Sequence, residues 1–427
     1  MKHRYVALLA GAALTIVKES ATGQTLARRI DGSAAAAVQF HFASRPPICG
    51  DGRAYMRVSS DGWISGSWDS MRSLPCERGP VRVVLVRAGG ETIRIETFAG
   101  PLAVDSTAAD LGAVGSAEAA AYLMSIATGG EGRVARDALT GAALADSADI
   151  SKGLMAIARD QSRARELRRG ALGWLVRQAG ERRGVTAEEM VATVAAIARD
   201  ESESNATRQH AVGLLARFER GEGIPTLVAM AGQGADLWLA KQSTEVLSRN
   251  GDPRARKALR DLASNAAAPG EVRVAAFSGL AGEYGTAADA ELIRKAYPSL
   301  ASDRGRDAAL AAVASVGGPS ARGWLASVAR DRNQAMRQRR HAAELLGRAG
   351  ASSADLAKLY DQIDETDIRT TLVEQLAQAG TRDATTKLLA IARGEPNLAV
   401  RRKAVGALGR SDDPRVREAL QGVVERP

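Results

Sequence analysis

A basic side chain returns again and again through the last three quarters of this 427-residue chain: Arg136, Arg168, Arg208, Lys241, Arg273, Arg306, Arg339, Arg369 and Arg401. The spacings run from 30 to 33 residues, apart from a gap of 40 between Arg168 and Arg208. Guanidinium groups held in register can grip an acidic partner through paired hydrogen bonds. They can equally pair inside the protein and lock each repeat to the next. The expected acceptors are then the Asp of a recurring Ala-Arg-Asp tail or carbonyls at a helix end, and the ladder is read here as chiefly structural. The binding candidates are the residues one step further on: Arg169, Gln209, Arg340 and Arg402.

Other chemistry is sparse. His210 and His341 each fall two residues after a ladder position, but four repeats apart. Helix layers stack ~8–10 Å apart, so the two imidazoles cannot share a ligand. Tyr55, Trp63 and Trp68 could form a platform for sugar, although a small β module needs aromatics simply to fill its core. Asp51, Asp61 and Asp69 do not follow the spacing of a calcium loop. Cys49 and Cys76 are the only two cysteines, which fits a disulfide and is too few for a structural zinc site. No nucleophile elbow, zinc-protease helix, phosphate loop or dinucleotide fingerprint occurs. The reading is non-catalytic, without metal or cofactor.

The elements that must carry the ladder are helices. Each basic mark opens an apolar stripe at +3, +4 and +7, as in Ala171/Leu172/Leu175 and Ala404/Val405/Leu408. A shared tail ends other helices upstream: Ile157 to Asp160, Ile197 to Asp200, Val328 to Asp331 and Ile391 to Gly394. Asp252-Pro253 and Asp413-Pro414 offer a capping Asp with Pro at N1. The period therefore predicts antiparallel helix pairs stacked as a solenoid over residues 116–427, with the long gap absorbed near Glu181-Arg182-Arg183-Gly184. Residues 34–105 differ. Val38 to Phe42 alternates, while Val81–Arg87 and Glu91–Phe98 read as a hairpin turning at Gly89-Gly90. Pro46 to Pro75 reads as loops, and Pro101 to Asp110 as the passage into the helices.

Residues 1–23 read as a signal peptide: Lys2, His3 and Arg4, then an apolar stretch from Tyr5 to Val17 that is too short to span a bilayer easily. No later run could cross a membrane, and a periplasmic or secreted monomer is expected. The net charge of +9 falls to near +7 once Lys2, Arg4 and Lys18, set against Glu19, are removed. Such a balance allows anionic partners; export argues against nucleic acid and leaves acidic glycans, lipid headgroups and acidic protein faces open.

The paired helices, Ala-Arg-Asp tails and Arg-led second helices resemble the short HEAT-like repeats of the phycobilisome-lyase family, over about Ser116 to Pro427. The resemblance implies a right-handed superhelix of helical hairpins whose second helices line a concave face. It also implies protein–protein scaffolding and, in one branch, attachment of bilin to proteins. No catalytic motif of that branch is matched, so no catalytic residue carries over. The expectation is an exported scaffold that binds proteins along the concave face. The alternatives are a ligand- or glycan-binding protein acting through the β module, and a phycobilin-lyase-like enzyme.

Overall fold

Where the sequence alternates between 37 and 42, the computed structural model has a strand, β1 (Ala37–Phe42), at the heart of a sheet. The structure describes residues 25–59, 62–63, 76–102, 107–179, 184–410, 413 and 415–417. The expected signal peptide, Asp61, Trp68, Asp69, residues 181–183 and Pro414 lie outside the described residues. Two compact units are formed: residues 1–153 with 162–170, and residues 154–161 with 171–427.

In the first unit, β5 (Val81–Ala88) and β6 (Glu91–Ala99) form the expected hairpin. Its turn residues Gly89 and Gly90 have φ of 60° and 85°, a left-handed pair that side-chain-bearing residues rarely tolerate. The sheet order is β6-β5-β1-β7, with β7 (Ala109–Ala113) parallel to β1. β7 begins at the end of the stretch read as a passage into helices, Pro101 to Asp110, and runs past it. Its Ala-Asp-Leu-Gly-Ala sequence has little strand propensity, and pairing with β1 imposes the extended form. The expected loops around Pro46 to Pro75 likewise contain a second small sheet of β2 (Cys49–Gly50), β3 (Met56–Ser59) and β4 (Gly62–Trp63). A helix that the sequence did not suggest, α1 (Leu26–Asp31), buries Leu26 and Ile30.

Phe40 and Phe42 fill the core of this unit, their ring centroids 6.2 Å apart. The hairpin α2 (Ser116–Gly129) and α3 (Gly132–Ala143) also belongs to it, and α3 packs on β6. At Gly141 a Cβ would sit 3.0 Å from Leu123 of α2 and in ordinary contact, 3.5 Å, with the Thr97 hydroxyl, so a side chain there would crowd the α2–α3 hairpin first. The unit thus reaches beyond the boundary expected at residue 105. Cys49 and Cys76 are disulfide-bonded across 27 residues of sequence. In the chain-entropy model such a loop stabilises the folded state by roughly 3 kcal/mol. Replacing both cysteines with Ser should lower the first unit's unfolding free energy by about that much, read as a separate shift in denaturant unfolding.

Helices α4 (Ser151–Arg159) and α5 (Arg165–Gln178) lead on from the first unit. The second unit continues with α6 (Ala187–Arg199), α7 (Asn205–Leu215), α8 (Ile224–Gly232), α9 (Leu237–Ser248), α10 (Pro253–Ser264) and α11 (Gly270–Leu280). Then come α12 (Ala287–Ala296), α13 (Asp303–Val316), α14 (Gly318–Arg330), α15 (Met336–Leu345), α16 (Ser353–Asp361), α17 (Thr366–Ala379), α18 (Arg382–Gly394) and α19 (Leu398–Leu408). From α6 on, each even-numbered helix packs with the odd-numbered one that follows it, forming hairpins. Each second helix from α7 to α17 also packs on the next second helix, and first helices such as α8, α10 and α12 do the same. This is a solenoid.

Local signals set the helix starts. Asp252 accepts from the Arg254 N–H at 2.7 Å with Pro253 at N1, and Thr186, Thr286 and Ser352 head capping boxes. Leu259, Phe277 and Leu280 are almost wholly buried, each worth ~1.5–3 kcal/mol of transfer free energy. The abundance of Ala at the other buried positions lets the helices approach closely.

Candidate functional site

The ladder residues lie on the second helices, and three of them make the same two-ended bridge. Arg208, Arg273 and Arg339 are buried. Each points its Nε back to a carbonyl ten residues earlier, at the end of its own first helix: Ala198 at 3.0 Å, Ala263 at 3.4 Å and Ala329 at 3.0 Å. The far side of each guanidinium reaches into the next repeat. Arg208 pairs with Asp236, Arg273 donates to the Ser299 hydroxyl at 3.0 Å, and Arg339 donates to Glu365 at 2.8 Å. Trp238 lies beneath Arg208 with its ring centroid 4.6 Å away, adding a cation–π contact. The tail carbonyl accepts in these three rungs. The carboxylate of Asp331, by contrast, is turned toward its own loop, to the Asn333 N–H and the Gln334 amide.

Two rungs are shorter, with Nε reaching a carbonyl six residues back: Arg306 to Leu300 at 3.0 Å and Arg401 to Glu395 at 2.9 Å. Glu395 is the hub of the last rungs. Both its oxygens take Arg369 at 3.1 and 3.0 Å, Tyr360 donates to it at 2.5 Å, and Arg369 stacks 4.3 Å over the Tyr360 ring. Arg168 is buried, Lys241 is half-buried beside Glu245 and Glu271, and Arg136 is exposed.

These contacts set the carboxylates' affinity for protons. Burial raises the pKa of Asp236, but the Leu239 N–H and the Arg208 guanidinium outweigh it and hold the group below its ordinary value. Arg339, above all, keeps Glu365 low. At Glu395, burial is outweighed by Tyr360, the Asn397 N–H, Arg369 and Arg401. Tyr360 is pushed well above the usual phenol range by burial and by donating to Glu395. Burial pulls Arg273 down.

A second set of charges ties adjacent second helices. Glu271 on α11 lies between Lys241 of α9, at 3.9 Å, and Arg304 of α13, at 2.8 Å. Arg337 pairs with Asp307 at 2.6 Å, and Lys403 pairs with Glu374. Next to this charged row sit the sequence's binding candidates. Gln209, Arg340 and Arg402 are exposed, and Arg169 is half-buried 3.9 Å from Glu166. They occupy separate helices and do not converge on one point. His341 lies 3.5 Å from Glu344, and His210 is half-buried in a different hairpin.

The other candidates of the first unit have local roles. Asp51 accepts from the backbone N–H groups of Arg53, Ala54 and Tyr55 at 2.9, 2.8 and 3.2 Å, which closes its own loop. Among the described residues no group of His, Cys, Asp and Glu is placed to hold a metal ion, and no helix is long and apolar enough to cross a membrane.

Sequence reasoning missed the second acceptor of each rung. Ser299, Glu365 and Glu395 all follow their arginines by 26 residues, a regularity that was present in the sequence. Asp289 on α12 was missed too. Fully buried, it receives Arg256 at 2.6 Å and Arg260 at 2.7 Å from α10, and the Thr286 hydroxyl at 2.6 Å.

Residues 191–281 and 355–427 match the family model of HEAT repeats. No curated protein matches the chain. Among solved structures, human deoxyhypusine hydroxylase with glycerol is 21% identical with a TM-score of 0.27, covering 56% of this chain and 91% of that one. The CpcE–CpcF complex of phycocyanin lyase from Nostoc sp. is 17% identical with a TM-score of 0.28, covering 56% and 92%. Kap95p, solved with RanGDP, is 15% identical with a TM-score of 0.43, covering 71% and 47%.

Proposed function

We propose that this HEAT-repeat solenoid is an exported, non-catalytic scaffold that holds protein partners along the concave face of its second helices. The observation that carries the reading is the division of labour on those helices. Cross-repeat pairs such as Glu271–Arg304 and Asp307–Arg337 fix the hairpins, while Gln209, Arg340 and Arg402 stay exposed beside them. An extended surface of that kind suits many weak contacts that sum, and net basic charge favours acidic partner faces. The apolar N-terminal run and the disulfide support export.

The test is a triple variant, Gln209→Glu, Arg340→Glu and Arg402→Glu. Its melting temperature should match the parent, because exposed substitutions change stability by no more than ~0.5 kcal/mol. Partners captured by the parent chain from the native envelope fraction, identified by mass spectrometry, should be lost by the variant. Undiminished capture would defeat the reading.

A further inference from the structure

We propose that α15, α17 and α19 form a track for an extended acidic peptide, with glutamates six residues apart reaching Arg348 and Arg410. This rests on the scaffold reading and names the partner's chemistry. Two cavities recur one hairpin apart. The first, about 460 Å³, is lined by His341, Glu344, Arg348, Leu356, Gln375 and Gln378. The second, about 640 Å³, is lined by Glu374, Gln378, Leu388, Leu408 and Arg410 among others. Gln378 stands on the ridge between them and belongs to both. The buried Gln375 gives its amide N–H to the Gln378 oxygen at 3.2 Å, which leaves the Gln378 amide protons for a ligand.

Charge selects the occupant. Two of the three acidic groups at these cavities already have cations beside them, Glu374 with Lys403 and Asp413 with Arg415, and Glu344 has the His341 imidazole at 3.5 Å. Asp367, exposed on α17, starts the same helix about three turns away from Gln378. Arg340, Arg348, Arg402 and Arg410 are exposed and make no side-chain hydrogen bond or ion pair among the described residues. The unpaired charge on these strips is therefore predominantly positive. Leucine floors suit methylene stems, which favours Glu over Asp.

Spacing selects the conformation. Helix layers lie ~8–10 Å apart, and an extended chain advances ~3.3 Å per residue, so three residues span one hairpin. Side chains i and i+6 share one face of an extended chain and fall at Arg348 and Arg410, while the backbone carbonyl near i+3 passes over Gln378 and can accept from its amide.

The test is fluorescence anisotropy of a labelled, end-blocked heptapeptide, Glu-Ser-Ala-Gln-Ser-Ala-Glu, titrated with the full chain. Arg348→Gln and Arg410→Gln should each weaken binding by about tenfold, as should replacing the facing peptide Glu with Gln. Gln378→Ala should weaken it too, while Arg393→Gln on α18 should not. Failure to bind, equal binding of an all-Gln peptide, or binding indifferent to Gln378 and displaced by heparin would overturn the track. The last result would mark a general polyanion patch. If the Arg348→Gln/Arg410→Gln double variant still captures the envelope partners, the scaffold reading stands and the track falls.

Discussion

Replacing Asp289 with Ala will destabilise the solenoid unit by about 3–5 kcal/mol, the usual cost of removing one member of a buried ion pair. The carboxylate is fully buried and is shared by Arg256 and Arg260 from the preceding hairpin. Its loss leaves two cations at a helix interface without their counter-charge, and the Thr286 cap without its partner. Asp289→Asn keeps the size and one acceptor but no charge, and should recover less than half. Denaturant unfolding of both variants reads the effect.

The same carboxylate gives a pH dependence. Burial raises its pKa, yet Arg260, Thr286 and Arg256 outweigh burial and leave it below the ordinary Asp value. A depressed carboxylate contributes stability that is present above its unfolded pKa, ~3.9, and lost as pH falls through its folded value. Asp236, Glu365 and Glu395 shift in the same direction. The solenoid should therefore lose stability progressively below about pH 5. The gap between parent and Asp289→Asn should narrow in the same range. A gap that stays constant down to pH 2 would count against the assignment.

Arg339→Ala should cost about 3 kcal/mol, since it strands the buried Ala329 carbonyl and releases Glu365 together. Arg339→Lys should rescue little. One ammonium on a flexible stem lacks the planar fork that serves a carbonyl behind and a carboxylate ahead. Because each bridge joins successive repeats, the Ala variant should also flatten the denaturant slope as the array stops unfolding as one body. Arg340→Ala, one residue away and exposed, should leave midpoint and slope within error.

The helices and their register were legible because apolar spacing and capping residues are properties of side chains in sequence. Asp252-Pro253 marks the start of α10, and Gly89-Gly90 marks the β5–β6 turn. What α10 and α12 exchange through Asp289 was not legible, because neither helix names its neighbour until the layers are stacked. The tail acceptor was left open between two candidates. A backbone carbonyl at Ala198 or Ala329 leaves no trace in residue type, so the sequence offered helix-end carbonyls and the tail Asp side by side, and only the stacked helices decide for the carbonyl. β7 escaped because pairing, and not propensity, makes it a strand. The exposed binding candidates could be placed on their helices, but nothing in residue type alone told Arg340, without an ion pair among the described residues, from Arg337, held by Asp307.

Each long rung takes one acceptor from its own block and one from the block that follows. Removing a complete block, from one rung to the next, brings a later block's acceptor to the vacated place and leaves no stranded charge. Duplicating a block does the same. Cuts out of phase orphan a buried cation. Copy number can thus drift over evolutionary time in whole steps, and the length of this array is a quantity that its chemistry leaves open to change.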